Sequence, residues 1–195
     1  MAFWTDIYSS GEKDPKRNFR FKVQVTGLQD SSGNDIIWYA KEVTKPSFTV
    51  NVAEHAYLNH KFKFPGTVTW NDIDLTVVDP QAGGAGVGID AAAALTALWG
   101  DSGYHPPANG TTDFNTVSKT NAVSALGSLI ITQMDADGKD IETWRLTNGF
   151  CKGITYGDTI AYGNDELTTY KLSIAYDFAT LDQEKWPVVG ATTTP

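Results

Sequence analysis

Hydrophobic and polar positions alternate along much of this chain with a period of two. In FRFKVQVTGL, Phe19, Phe21, Val23 and Val25 alternate with Arg20, Lys22, Gln24 and Thr26, the pattern of a strand with one buried and one wet face. DSSGND (30–35) reads as a turn and IIWYAKEV (36–43) as its return strand. Past Pro46, Phe48, Val50 and Val52 alternate with Thr49 and Asn51. Phe62 and Phe64 then alternate with Lys61 and Lys63, Pro65-Gly66 is expected to turn the chain, and Ile73, Leu75 and Val77 form a further strand. LIITQM (129–134) and IETWRL (141–146) are expected to pair as a hairpin through DADGKD, whose Asp137-Gly138 is a strong turn signal. FCKGITYG (150–157) reads as another strand. A last one carries Tyr170, Leu172, Ile174, Tyr176 and Phe178 on one face.

The pattern changes once. After Asp79-Pro80, QAGGAGVG reads as a loop and IDAAAALTALWG as a short helix. Asp90 is its expected N-cap, Leu95, Leu98 and Trp99 share a face, and Gly100 stands at the C-terminal glycine position. Residues 101–125 are loop-like, with room for a helical turn before Gly127. The fold class is therefore mainly β: an antiparallel β-sandwich or barrel with one short α-helix. A single domain is expected over 1–195, with an N-terminal arm (1–17), a helix-and-loop insertion (80–127) and a loose C-terminal tail (181–195).

Composition narrows the function. A formal charge of -8 and a pI near 4.7 disfavour a general nucleic-acid binder, which needs clustered Lys and Arg. One cysteine excludes an internal disulfide and suits a reducing compartment. The first residues hold no apolar run of signal-peptide length, and no stretch has the ~20 apolar residues of a membrane helix, so no membrane anchor is expected.

Candidate chemistry is sparse. Asp135, Asp137 and Asp140 in DADGKD invite a calcium loop, but Gly138 is fourth rather than sixth and no glutamate follows at the twelfth position, so the hairpin reading stands. GGAGVG (83–88) lacks the Gly-Lys-Ser/Thr ending of a phosphate loop. Cys151 sits in an apolar strand, and His55, His60 and His105 have no local partner that would make a nucleophile or a metal site. Asp72 and Asp74 fit a turn and a strand face better than a glycosidase pair. No catalytic residue, cofactor or metal is expected.

The succession DPKRNFRFKVQVTGL, WYAKEVTKPSFTVNV, NHKFKFPGTVTWNDIDLTVVD, a helix ending in Trp99, and TTYKLSIAYDF resembles, over residues 14–180, the tail tube protein of contractile-tailed (T-even-type) bacteriophages. That family is related in fold to the tube subunits of bacterial secretion and contractile injection systems. The resemblance implies a non-enzymatic virion protein, assembled in the host cytoplasm. Its sheet would continue across subunits into hexameric rings stacked as a conduit for genome ejection. The implied partners are copies of itself, a tail sheath protein, a baseplate or tube initiator, a tape-measure protein in the lumen, and DNA that passes without specific binding. A tube-initiator ring, a bacterial injection-tube subunit and a carbohydrate-active β-sandwich remain the alternatives.

With Phe48, Val50, Val52, Phe62 and Phe64 expected in the core and Trp144 and Leu146 facing inward, the resemblance implies a lumen wall of Thr49, Asn51, Lys61, Lys63, Thr132, Thr143 and Arg145. Glu54, Asp135, Asp137 and Asp140 are expected at the channel rim, offsetting those cations.

Overall fold

The computed structural model describes residues 16–28, 40–79, 91–106, 116–157, 159–160, 162 and 166–182. Its elements are β1 (Phe21–Val25), β2 (Ala40–Val43), β3 (Ser47–Tyr57), β4 (His60–Asn71), β5 (Ile73–Val78), α1 (Ala91–Asp101), α2 (Lys119–Leu126), β6 (Leu129–Met134), β7 (Asp140–Thr147), β8 (Phe150–Thr155), β9 (Thr169–Ala175) and β10 (Phe178–Leu181). Among the described residues, two four-stranded sheets, ordered β1-β6-β7-β10 and β2-β5-β9-β8, form the body, and β3 and β4 pair only with each other. Every pairing is antiparallel.

Alternation dictates the core. Val23 and Val25 of β1, Leu129 and Ile131 of β6 and Leu146 of β7 are buried from one sheet. Ile73, Leu75 and Val77 of β5 and Leu172 and Ile174 of β9 are buried from the other, and all join one hydrophobic cluster. Leu95 and Leu98 of α1, with Trp99 half-buried beside them, close the cluster together with Leu126 of α2.

The expected helical turn before Gly127 is a full second helix. Ser118 caps α2 by accepting a hydrogen bond from the Asn121 amide (3.2 Å), and Gly127, at φ 68°, ends it by donating to Val123 O (2.9 Å). In α1, Gly100 lies inside the last turn. The left-handed residue that stops the helix is Gly103 (φ 99°), which donates to Gly100 O. The expected cap Asp90 lies outside the described residues, as do the glycine-rich loop 83–88 and nearly all of the N-terminal arm and C-terminal tail.

Three strand expectations are corrected. Phe19 sits in a turn before β1 and is 74% exposed. The run Tyr170 to Phe178 is two strands: β9 ends at Ala175, the chain breaks at Tyr176-Asp177, and β10 crosses to the other sheet to pair with β7. The Asp177 amide donates to Thr147 O, and its carboxylate accepts from Lys119 and Asn148, which pins the crossing point. Pro65-Gly66 is no turn. It lies within β4, and the chain reverses instead at Leu58-Asn59, with Leu58 in the left-handed region (φ 53°).

Candidate assembly surface

The β3–β4 ribbon is the most exposed element of the fold: all of β3 and all of β4 except Trp70 are solvent-exposed. Phe48, Val50, Val52, Phe62 and Phe64, expected in the core, are 42–55% exposed. The patterning was real, but among the described residues no layer packs on the ribbon. Its base is anchored by a ring contact of Trp70 with Tyr176 (centroids 5.9 Å apart), with Phe48 packed on Trp70 (5.1 Å).

Register decides which side chains share a side of the ribbon. From the base, Phe48 pairs with Trp70 and Val50 with Val68, but Val52 pairs with Pro65, so β4 carries one extra residue opposite Asn51. This is a β-bulge. Gly66 is suited to it because a Cβ there would stand 2.9 Å from Asn51 O. Beyond the bulge the alternation of β4 is reset against β3. Lys63 now faces Glu54 and Lys61 faces Ala56, and Glu54 pairs with both lysines at 3.9 and 3.3 Å. One side therefore holds Phe48, Val50, Val52, Val68 and Trp70 at the base and Glu54, Lys61 and Lys63 towards the tip. The other holds Thr49 and Asn51 at the base, with Asn51 donating to Thr67 (3.0 Å), and Tyr57, Phe62 and Phe64 towards the tip.

This corrects the expectation that Thr49, Asn51, Lys61 and Lys63 share one face. The bulge puts the two lysines on the opposite side of the ribbon from Thr49 and Asn51. In the second hairpin, Leu146 is buried and Trp144 half-buried, as expected. Thr132, expected outside, is only 3% exposed, its hydroxyl 3.4 Å from that of half-buried Thr143. Arg145 is exposed and pairs with Asp182 of β10's end (3.0 Å). The Arg145 partner Asp182 escaped the sequence reading because only the β7–β10 pairing, Thr180 opposite Arg145, brings it near.

The four acids play separate parts. Glu54 is a strand residue that offsets Lys61 and Lys63. Asp140 pairs with Lys22 (2.9 Å). Asp135 builds the turn: its Oδ1 accepts from the amides of Asp137 (2.9 Å) and Lys139 (2.8 Å), and Gly138 supplies φ 79°. That is the chemistry of a tight hairpin, and among the described residues no three His, Cys, Asp or Glu side chains gather as metal ligands.

A cleft of about 790 Å³ opens between β2 and the β1-β6-β7 sheet, bordered by Phe19, Phe21, Val43, Thr132, Gln133 and Trp144. Its polar groups are tied to one another. Glu142 accepts from Lys45 (2.8 Å), from the Trp144 indole (2.7 Å) and from Lys16, and Lys45 also donates to Gln133 (2.8 Å). Burial by itself raises the Glu142 pKa, but the three donors outweigh it and hold the carboxyl at about 2. Burial pushes the Cys151 thiol up to about 11, the reverse of an activated nucleophile.

Comparison with known proteins places this arrangement. No protein-family model and no curated protein sequence matches the chain. Solved structures do. A chain of the sheath/tube terminator of an extracellular contractile injection system, PVC, in its extended state superposes with TM-score 0.60 at 15% identity, over 88% of this chain and 99% of that one. A chain of the PVC sheath–tube complex gives 0.57 at 17% identity (93% and 98%), and one of the anti-feeding prophage baseplate 0.57 at 13% (89% and 99%). The fold is thus the mainly antiparallel β fold found in chains of contractile injection particles, in line with the resemblance read from the sequence. No helix among the described residues is long and apolar enough to cross a membrane.

Proposed function

We propose that this protein is a structural, non-enzymatic tube subunit that assembles with copies of itself into rings and stacks those rings into a hollow conduit. The observation that carries this reading is the β3–β4 ribbon: two strands of 11 and 12 residues, paired among the described residues only with each other, with Phe48, Val50, Val52, Phe62 and Phe64 in solvent. An isolated two-stranded ribbon is marginal in water, and its open edges invite pairing with another strand. A second copy supplies both edges, and a head-to-tail contact that closes makes a ring. The likeness to chains of contractile injection particles supports the same reading.

Within it, the conduit is that of a contractile phage-type tail, carrying DNA outward, with a sheath protein around it and an initiator and tape-measure protein at assembly. The channel wall we assign is the uncharged base of the ribbon, Thr49 and Asn51 with their neighbours Thr67 and Thr69. Hydroxyl and amide groups let a polyanion slide without the counterion-releasing contacts that would hold it. An injection-tube subunit carrying protein cargo is the second reading, favoured by the identity of the structural neighbours. Cryo-electron microscopy of the purified, polymerised protein tests the wall: density should place Thr49 and Asn51 on the lumen. Their burial or outward placement would refute the assignment.

A further inference from the structure

The ribbon has two apolar patches, and the bulge puts them on opposite sides. The base patch is Phe48, Val50, Val52 and Val68, beside Trp70; the tip patch is Tyr57, Phe62 and Phe64. A partner lying along one side covers one patch and leaves the other in water. We infer that the two patches are docking surfaces for two different copies of this chain. The base is covered by the neighbour within a ring and the tip by a copy in the adjoining ring, with the Gly66 bulge as the device that separates the two contacts. The inference rests on the tube reading and adds a division of labour to it.

Two observations support a second copy as the occupant of both. The first is charge. The ribbon carries Lys61 and Lys63 against Glu54, a formal +1, while the other 13 cations and 22 acids of the chain amount to -9. A cationic ribbon is attracted to the body of another copy. The second is reach. At ~3.3 Å per residue, 11 residues extend about 36 Å, more than twice the radius of gyration of about 16 Å for a domain of this length. The base stays at the body through Trp70 and Tyr176, so the copy covering it lies alongside, whereas the tip projects past to a copy further off.

The test uses the full chain, wild type and three variants, in assembly buffer under negative-stain microscopy and mass photometry. Phe62→Ser with Phe64→Ser should stop growth at single rings, with tubes reduced at least tenfold. Val50→Ser with Val52→Ser should abolish rings and leave monomer. All these positions are exposed, so melting curves of the monomers should match wild type, and Phe62→Leu with Phe64→Leu should restore tubes. Tubes from the Phe62/Phe64 serine variant at wild-type yield, or arrest of both serine variants at the same stage, overturns the inference while the tube reading stands. A wild-type chain that forms neither rings nor tubes overturns both.

Discussion

Glu54 lies across the ribbon from Lys63 and pairs with it and with Lys61, at 3.9 and 3.3 Å. That triad can form only because the bulge at Gly66 shifts β4 by one residue, bringing two lysines to the side of Val52 and Glu54. Exposed pairs of this kind contribute only about 0.2–1 kcal/mol. Glu54→Gln should therefore move the melting temperature of unassembled protein by no more than about 4 °C, at about 2–4 °C per kcal/mol for a chain of this size. A larger loss would mean that the ribbon is held by its charges rather than by its strand pairing.

Gly27 joins β1 to the end of α2. Its amide donates to Leu126 O (2.9 Å), and a Cβ added there would stand 1.8 Å from Ala125 O and 2.5 Å from Leu126 O. Backbone oxygens of a capped helix cannot step aside cheaply. Gly27→Ala should lower the melting temperature by about 6 °C or more, the equivalent of at least about 2 kcal/mol of overpacking. Calorimetry of the soluble variant checks it, and an unchanged melting point would mean that the α2–β1 junction is looser than described.

Glu142 gives a pH signature. Its folded-state pKa of about 2 lies below the ordinary 4.5, so the unfolded chain binds the proton first and the pairing stabilises the fold above pH 4.5. That contribution declines as pH falls from 4.5 towards 2. Allowing for the exposure of Lys16 and Lys45, it is about 2 kcal/mol. Glu142→Gln should melt about 4–8 °C below wild type at pH 7, and the two curves should converge near pH 2. A gap that persists unchanged at low pH would place the effect in packing instead.

The sequence showed most of the body and little of its connectivity between layers. β6, β7 and β8 fall where the sequence placed them, because β6 and β7 flank the Asp137-Gly138 turn signal and all three strands pack against this chain's own core. The β9–β10 division was invisible: Tyr176 and Phe178 continue the alternation of Ile174 in phase, and only the tertiary bonds of Asp177 to Thr147, Lys119 and Asn148 break the strand there. Pro65-Gly66 reads locally as a turn. A strand tolerates the pair at a bulge, where proline's missing N–H costs no ladder bond. Phe48 to Phe64 were assigned to a core because alternation reports that a side chain is to be covered without saying which chain covers it. Thr132 was read as surface because alternation puts it on the face opposite inward Trp144 and Leu146, although β6 is covered on both faces at that point.

Cys151 should be inert in the native state. Its thiol is buried, its Sγ donates to Gly153 O (3.5 Å), and its pKa is raised to about 11 by burial, so almost no thiolate exists near neutrality. Iodoacetamide at pH 8 should label unfolded protein within minutes and native protein at least tenfold more slowly. Equal rates would show that the β8–β9 edge opens readily.

The central claim is that this fold is completed by copies of itself. Mass photometry of the purified chain near neutral pH, paired with negative-stain images of the same sample, tests it most directly. The account predicts closed rings with a central hole, many subunits in mass, that stack into tubes as concentration rises. A single species of 21.2 kDa that persists at the highest concentration reached, with the ribbon still accessible to limited proteolysis, would contradict it.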